Sequence, residues 1–353
     1  MNTNLRVAIV ANANSIHTIR WVDWLKKRGH NVAVFSLKKG ETSAYFGPEP
    51  PLNRRFILNL GRGVRKTTAL LQNLIDEFKP DIVHGFFLTN HGMYASRVIG
   101  YPRIVTAMGS DVLLAPKESR LLTWLTKRTA KKASFIVSVA DHLSEIISSW
   151  GINRSKIITA PLGIDIASFK PLNKRKTVIF SRGFKEIYNP MILVKAIPYV
   201  ISKIPDAKFI LCGDGPLLQD CRDYLNEKGM MDYVDFPGYV PNNTISNMIG
   251  EARVLVSPSL SDGTPVSVLE GLACGCVLVT SNIPANRFWT VHNKTGVLFN
   301  PSDLKELEKA LVRALTDEVL MEYALTEGPK IVLENADWET NISKVERLYF
   351  DLI

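Results

Sequence analysis

The sequence has little of what would mark a secreted, metal-organised or membrane-spanning chain. Four cysteines occur in 353 residues, Cys212, Cys221, Cys274 and Cys276, and none has structural-zinc spacing with a second Cys/His pair. Cys274 and Cys276 sit in an apolar run, as buried thiols do. No Asp-x-Asp pair suited to a divalent cation is present. No apolar stretch reaches the roughly 18 residues that span a bilayer. The opening run Val7–Val10 is short and soon meets Asn12 and Asn14, so it reads as a first strand rather than a signal peptide, and the expected location is the cytoplasm. Low-complexity tracts and short-period repeats are missing, and so is any aromatic-basic platform for nucleic acid, which leaves nucleic acid out of the expected partners.

What is present is ordinary globular composition, 46% hydrophobic and 22% charged, at a length that suits two domains. The net charge of +9 is unevenly spread: residues 1–170 carry 24 Lys+Arg against 11 Asp+Glu, and residues 171–353 carry 19 against 23. A first half at +13 points to an anionic partner. The stretch 119–133 has a helical period. Leu121, Leu122, Leu125, Thr129 and Ala133 fall on one side; Arg120, Lys127, Arg128 and Lys131 fall on the other, with Trp124 among them. A tryptophan within a basic face suits an anionic membrane surface, which predicts peripheral attachment to the inner face of the cell membrane.

Short β-rich runs alternate with helical patterns twice over. The first series is 6–10, 31–37, 81–85, 103–107, 135–139 and 156–160; the second is 177–181, 207–212, 233–236, 254–257, 276–280 and 296–299. This alternation predicts two parallel sheets, each covered on both faces, joined near residues 165–175. The expected domains are 1–168 and 169–337, with a C-terminal amphipathic helix, 338–353, packing back on the first. Open α/β sheets bind ligands at the carboxyl ends of their strands, so the residues after each strand carry the chemistry.

After the strand ending near Ser257, a loop carries Asp262 and Gly263, and a helix follows. Thr264 is placed as its N-cap and Pro265 as its first residue. The free backbone N–H groups at that helix start, around Thr264 and Val266, make an anion site. Glu270 lies about one and a half turns in, where a carboxylate can accept from a diol. Gly213-Asp214-Gly215-Pro216 follows an apolar strand. Arg182 and Lys185 follow the first strand of the second half, where cations would neutralise a diphosphate. In the first half, Asn14 and His17 follow strand one, while His91 and Asp111 follow strands three and four, on the acceptor side.

In these segments the sequence resembles the retaining GT-B glycosyltransferases of family 4. Asp262 and Glu270 have that family's spacing of two acids with seven residues between them, with Asp where Glu is usual. Pro161-Leu-Gly163-Ile-Asp165, Gly213-Asp214-Gly215-Pro216 and the segment around Tyr239 and Val240 resemble its interdomain and nucleotide-base segments. Gly109-Ser110-Asp111 resembles its Gly-x-Asp segment. The chain departs at Met108, where His is frequent, and near Tyr188, where a Lys is usual.

The resemblance implies an α/β GT-B architecture of two Rossmann-like doubly wound domains facing a cleft. It implies metal-independent transfer of a hexose-type sugar, with retention, from a nucleotide-diphosphate donor to a sugar or lipid-linked acceptor, in cell-surface polysaccharide or glycolipid assembly. UDP is the expected nucleotide, and no cofactor is implied. A sugar-nucleotide epimerase and a catalytically inactive partner subunit are the alternatives.

Overall fold

The structure, a computed structural model, describes residues 4–40, 43–47 and 54–353, with side chains from residue 63 onward in the last of these segments. It divides into two units. The first takes residues 1–161 and 342–353, and the second takes 162–341.

The first unit is built on a seven-stranded sheet, every strand parallel to its neighbours. Its strands are β1 (Arg6–Val10), β2 (Asn31–Ser36), β3 (Ser43–Tyr45), β4 (Ile82–Phe86), β5 (Arg103–Ala107), β6 (Phe135–Ser138) and β7 (Ile157–Thr159). They are ordered β3-β2-β1-β4-β5-β6-β7. The second unit has six: β8 (Arg175–Ser181), β9 (Lys208–Cys212), β10 (Val234–Gly238), β11 (Ala252–Ser257), β12 (Val277–Ser281) and β13 (Gly296–Phe299), ordered β10-β9-β8-β11-β12-β13 and again all parallel. Both units are therefore α/β and doubly wound. Strands β4, β11 and β12 are buried along their whole length, which is why they read as apolar runs rather than alternations.

Strand order reverses between β1 and β4 in the first unit and between β8 and β11 in the second. The two reversals leave crevices at the carboxyl ends of those strands, the place where such sheets take ligands. The core of the second unit lies on both faces of its sheet. Val178, Phe180, Val254 and Val256 face one helical layer, and Ile179, Leu255 and Leu278 face the other.

One strand went unread in the sequence. Strand β3 has three residues and sits at the sheet edge, too short for any alternation to show. The helix Arg54–Phe78 runs for 25 residues.

The chain's last helix, Trp338–Asp351, begins in the second unit and ends in the first. Within the second unit, Ile164 N donates to Ala336 O (3.0 Å) and Trp338 N to Ile164 O (3.1 Å). A Cβ on Gly163 would stand 2.5 Å from Trp338 N and 2.6 Å from Ala336 O, so this close approach of two backbones requires glycine. Within the first unit, Tyr349 Oη lies 2.6 Å from Nδ1 of the buried His84, whose Nε2 meets Thr106 Oγ1 at 2.6 Å. Glu346 accepts from Arg28 through both oxygens and lies 2.9 Å from His30 Nε2.

Candidate functional site

At the β8–β11 reversal the second unit has a cavity of about 230 Å³, lined among others by Ser181, Arg182, Gly213, Tyr239, Val240 and Glu270. Each comes from the end of a strand or the helix that follows one. Ser181 ends β8, and Arg182 starts the loop after it. Gly213 follows β9, Tyr239 and Val240 follow β10, and Glu270 lies in the helix Val266–Ala273 after β11.

The loop after β8 is held by the loop after β9. Phe184 N donates to Asp214 O (3.0 Å), and Leu217 N donates to Phe184 O (3.0 Å). Gly213 has φ +117, and a Cβ there would meet Arg182 O at 2.5 Å; Gly215 has φ +155 and would meet Phe184 O at 2.5 Å. The two glycines of the Gly-Asp-Gly turn thus let a second backbone lie against them and carry Arg182 into the cavity wall. Asp214 is exposed and accepts from the N–H of Gly215.

Arg182 is the electrostatic centre. Its guanidinium pairs with the Asp262 carboxylate, and both side chains are only 13% exposed. The Tyr188 ring lies against it, 4.2 Å from Cζ to the ring centroid. Its Nε and the Ser181 Oγ beside it are buried and have no hydrogen-bond partner among the described residues. Both residues line the cavity, and a positive side chain in its wall favours a polar, anionic ligand.

The helix after β11 starts later than the sequence suggested. It begins at Val266 with Pro265 as the preceding cap residue, rather than at Pro265 with Thr264 as the cap. Thr264 is buried, and Gly263 N donates to Asp262 Oδ1 (2.8 Å). Pro265 has no N–H to give, and no side-chain hydrogen bond caps the helix.

Lys185 is exposed and is not part of the cavity wall. Its neighbour Phe184 is fully buried against Phe180 and Phe236, so the next side chain points to solvent. Tyr188, in the stretch where a lysine was expected, supplies an aromatic face to Arg182 instead of a second cation. Cys212, Asn242 and Ile245 also line the cavity, and sequence reading missed them. They are ordinary strand-end and helix residues with no chemical signature of their own.

In the first unit, Asn14 and His17 lie after β1 at its reversal with β4. Asn14 is exposed and donates from Nδ2 to Lys39 O (3.3 Å), and His17 is half-buried in the first turn of the helix Ile16–Lys27. His91 and Asp111 are structural in character. The buried His91 accepts from Leu37 N through Nε2 (3.2 Å), and burial, aided by Lys38, lowers its pKa to about 4, so it is neutral at pH 7. Asp111, 1% exposed, accepts from the N–H groups of Leu88 (2.6 Å), Met108 (3.1 Å) and Gly109 (2.9 Å), pinning the loops after β4 and β5 together. Burial pushes its carboxyl above the usual range, and those three donors oppose the push.

Two family models match the chain. "Glycosyl transferases group 1" matches residues 164–330, and "Glycosyl transferase 4-like" matches residues 6–140. An Escherichia coli enzyme, UDP-Gal:alpha-D-GlcNAc-diphosphoundecaprenol alpha-1,3-galactosyltransferase, is 27% identical over 311 residues, 82% of this chain and 80% of its own length. The sulfoquinovosyl transferase of Arabidopsis thaliana is 22% identical over 92% of this chain and 68% of its own. Among solved structures, Anabaena HepE in complex with UDP superposes with a TM-score of 0.81 at 14% identity, over 99% of this chain and all of that one. The match shows a shared fold. Among the described residues, no helix is long and apolar enough to cross a membrane, and no group of three or more His, Cys, Asp or Glu is placed to hold a metal ion.

Proposed function

We propose, from the premise that the chain belongs to the GT-B glycosyltransferases of family 4 and uses a nucleotide-sugar donor, that it transfers a hexose from a UDP-sugar to a lipid-linked or sugar acceptor with retention of configuration and without a metal ion. The observation that carries this reading is the wall at the β8–β11 reversal, where Arg182, Ser181 and Glu270 line one cavity beside Asp262.

In this reading Arg182 stabilises the charge that develops on the departing diphosphate, helped by the backbone N–H groups at the start of the helix Val266–Ala273. The diphosphate replaces Asp262 as the guanidinium's partner. That frees the Asp262 carboxylate to accept from a hexose hydroxyl. Glu270 accepts from the ribose diol, and Tyr239 and Val240 flank the base. The acceptor hydroxyl attacks the anomeric carbon on the face from which the diphosphate leaves. Asn14, His17 and the loops pinned by Asp111 and His91 would then hold the acceptor.

The E. coli relative's name joins UDP-galactose to a lipid diphosphate acceptor. An acceptor of that kind would suit the +13 first half and an enzyme working at the inner face of the cell membrane. Arg120, Trp124, Lys127, Arg128 and Lys131 would meet the anionic surface. Assembly of a cell-surface polysaccharide or glycolipid is the matching pathway class.

The test is a transfer assay with UDP-glucose, UDP-galactose and their N-acetyl forms on an undecaprenyl-diphosphate-sugar acceptor, in EDTA, with the product anomer read by proton NMR. An α-linked product from an α-donor in EDTA supports the reading. An inverted product, or activity only with added metal, contradicts it. UDP-sugar epimerised without transfer would favour the epimerase alternative.

A further inference from the structure

A second cluster of charge lies in the first unit, at the opposite end of its sheet from the loops that follow β1, β4 and β5. Arg128 and Lys132 are one turn apart near the end of the helix Arg120–Lys132. Arg103 opens β5, and its guanidinium donates to the carbonyls of Ser96 (3.4 Å) and Val98 (3.0 Å), which flank Arg97. The strand start is tied to the helix end. Arg103 N donates to Ser134 Oγ (3.2 Å) and Ser134 N donates to Arg103 O (2.8 Å), two residues past Lys132. Four cations from three segments therefore converge.

No carboxylate answers them. None of the four forms an ion pair among the described residues. Asp76, beside the same turn, accepts through Oδ1 from Gln72 Nε2 (2.9 Å) and Tyr101 Oη (3.1 Å). Burial first, then Arg128, holds the Arg97 guanidinium below its usual range. Burial, then Arg97, Arg128 and Arg103, does the same to the Lys132 ammonium. Arg103 Nε is buried without a partner among the described residues. Like charges held together without acids are destabilising, and an anion with several acceptor oxygens relieves them. One turn before Arg128, Trp124 is 53% exposed, with the Arg128 guanidinium 5.1 Å from its ring.

We propose that Arg97, Arg103, Arg128 and Lys132 form a phosphate-binding site at the amino end of the first unit's sheet, separate from the donor site and taking a phosphate mono- or diester. A lipid headgroup and a soluble phosphate both carry that chemistry. The site goes beyond the transferase reading, and its test needs neither donor nor acceptor.

The full-length protein is assayed in two arms. One is flotation with phosphatidylcholine vesicles with and without phosphatidylglycerol. The other is calorimetric titration with inorganic pyrophosphate, in an Arg182→Ala background so that the second unit does not contribute. Arg97→Gln/Lys132→Gln is compared with Lys26→Gln/Lys27→Gln, an equal loss of charge at the exposed end of the first helix. At about fivefold per charge, the first double variant should weaken binding about 25-fold. The control should change it far less. The exposed single variant Arg128→Gln, which removes no buried group, should lose about fivefold.

Site-dependent binding to the phosphatidylglycerol vesicles alone identifies a headgroup. Site-dependent binding to pyrophosphate as well identifies a soluble phosphate. Binding in neither arm, or equal weakening by both double variants, overturns the proposal.

Discussion

Arg182 stands between two partners of different kind. The Asp262 carboxylate pairs with its guanidinium, and the Tyr188 ring lies against it. Replacing it with alanine should lower kcat/KM by about 10²–10³, as loss of a positioned charge donor at a leaving group does. Tyr188→Ala should raise the KM for donor about fivefold, the equivalent of about 1 kcal/mol of cation–π contact, with kcat changed less. Tyr188→Phe, which keeps the aromatic face, should restore the wild-type KM; steady-state kinetics of the two variants checks this. The gathering of Arg182, Glu270, Gly213, Tyr239 and Val240 at one cavity was legible because each stands at a fixed offset from a strand end. The pairing of Arg182 with Asp262 was not, because 80 residues separate them and only the adjacency of β8 and β11 joins them. Lys185 lies outside the cavity wall because the burial of Phe184 decides which way the loop turns.

At the scale of elements, the site depends on how closely loops approach. Gly213→Ala puts a Cβ at φ +117 and 2.5 Å from Arg182 O, so the loop after β8 must move. Strained backbone of this sort costs about 1–3 kcal/mol. The expected outcome is a lower Tm together with loss of nucleotide-induced stabilisation, whereas Gly100→Ala, also at positive φ but with open space around it, should lower Tm alone. Strands were read well because burial on both faces writes apolar runs into β4, β11 and β12. The helix start after β11 shifted by one residue: Pro265 takes the cap position, and no side chain caps the helix.

At the scale of the whole molecule, acid stability belongs to the first unit. His84 and His91 are buried there, and burial lowers their pKa values to about 3 and about 4. Both lie below the unfolded value of about 6.5, so folding favours the neutral rings. Their contribution is complete above pH 6.5 and is lost as pH falls toward 4, because unfolding then takes up a proton at each. The slope should approach about 2.7 kcal/mol per pH unit where both contribute. Denaturant unfolding between pH 7 and pH 4 measures it, and His91→Gln should remove about half of the slope. His84 also anchors Tyr349 of the final helix, so Tyr349→Phe should destabilise the first unit by about 1–3 kcal/mol through an unsatisfied buried partner.

The most direct test of the donor site is a thermal-shift measurement of the wild type and Glu270→Ala with UDP, GDP, ADP and TDP. A nucleotide at a hundred times its Kd should stabilise the wild type by about 2.7 kcal/mol. The account predicts a shift with UDP in the wild type that Glu270→Ala loses. A shift with no nucleotide in either protein, or one that Glu270→Ala keeps in full, would contradict it.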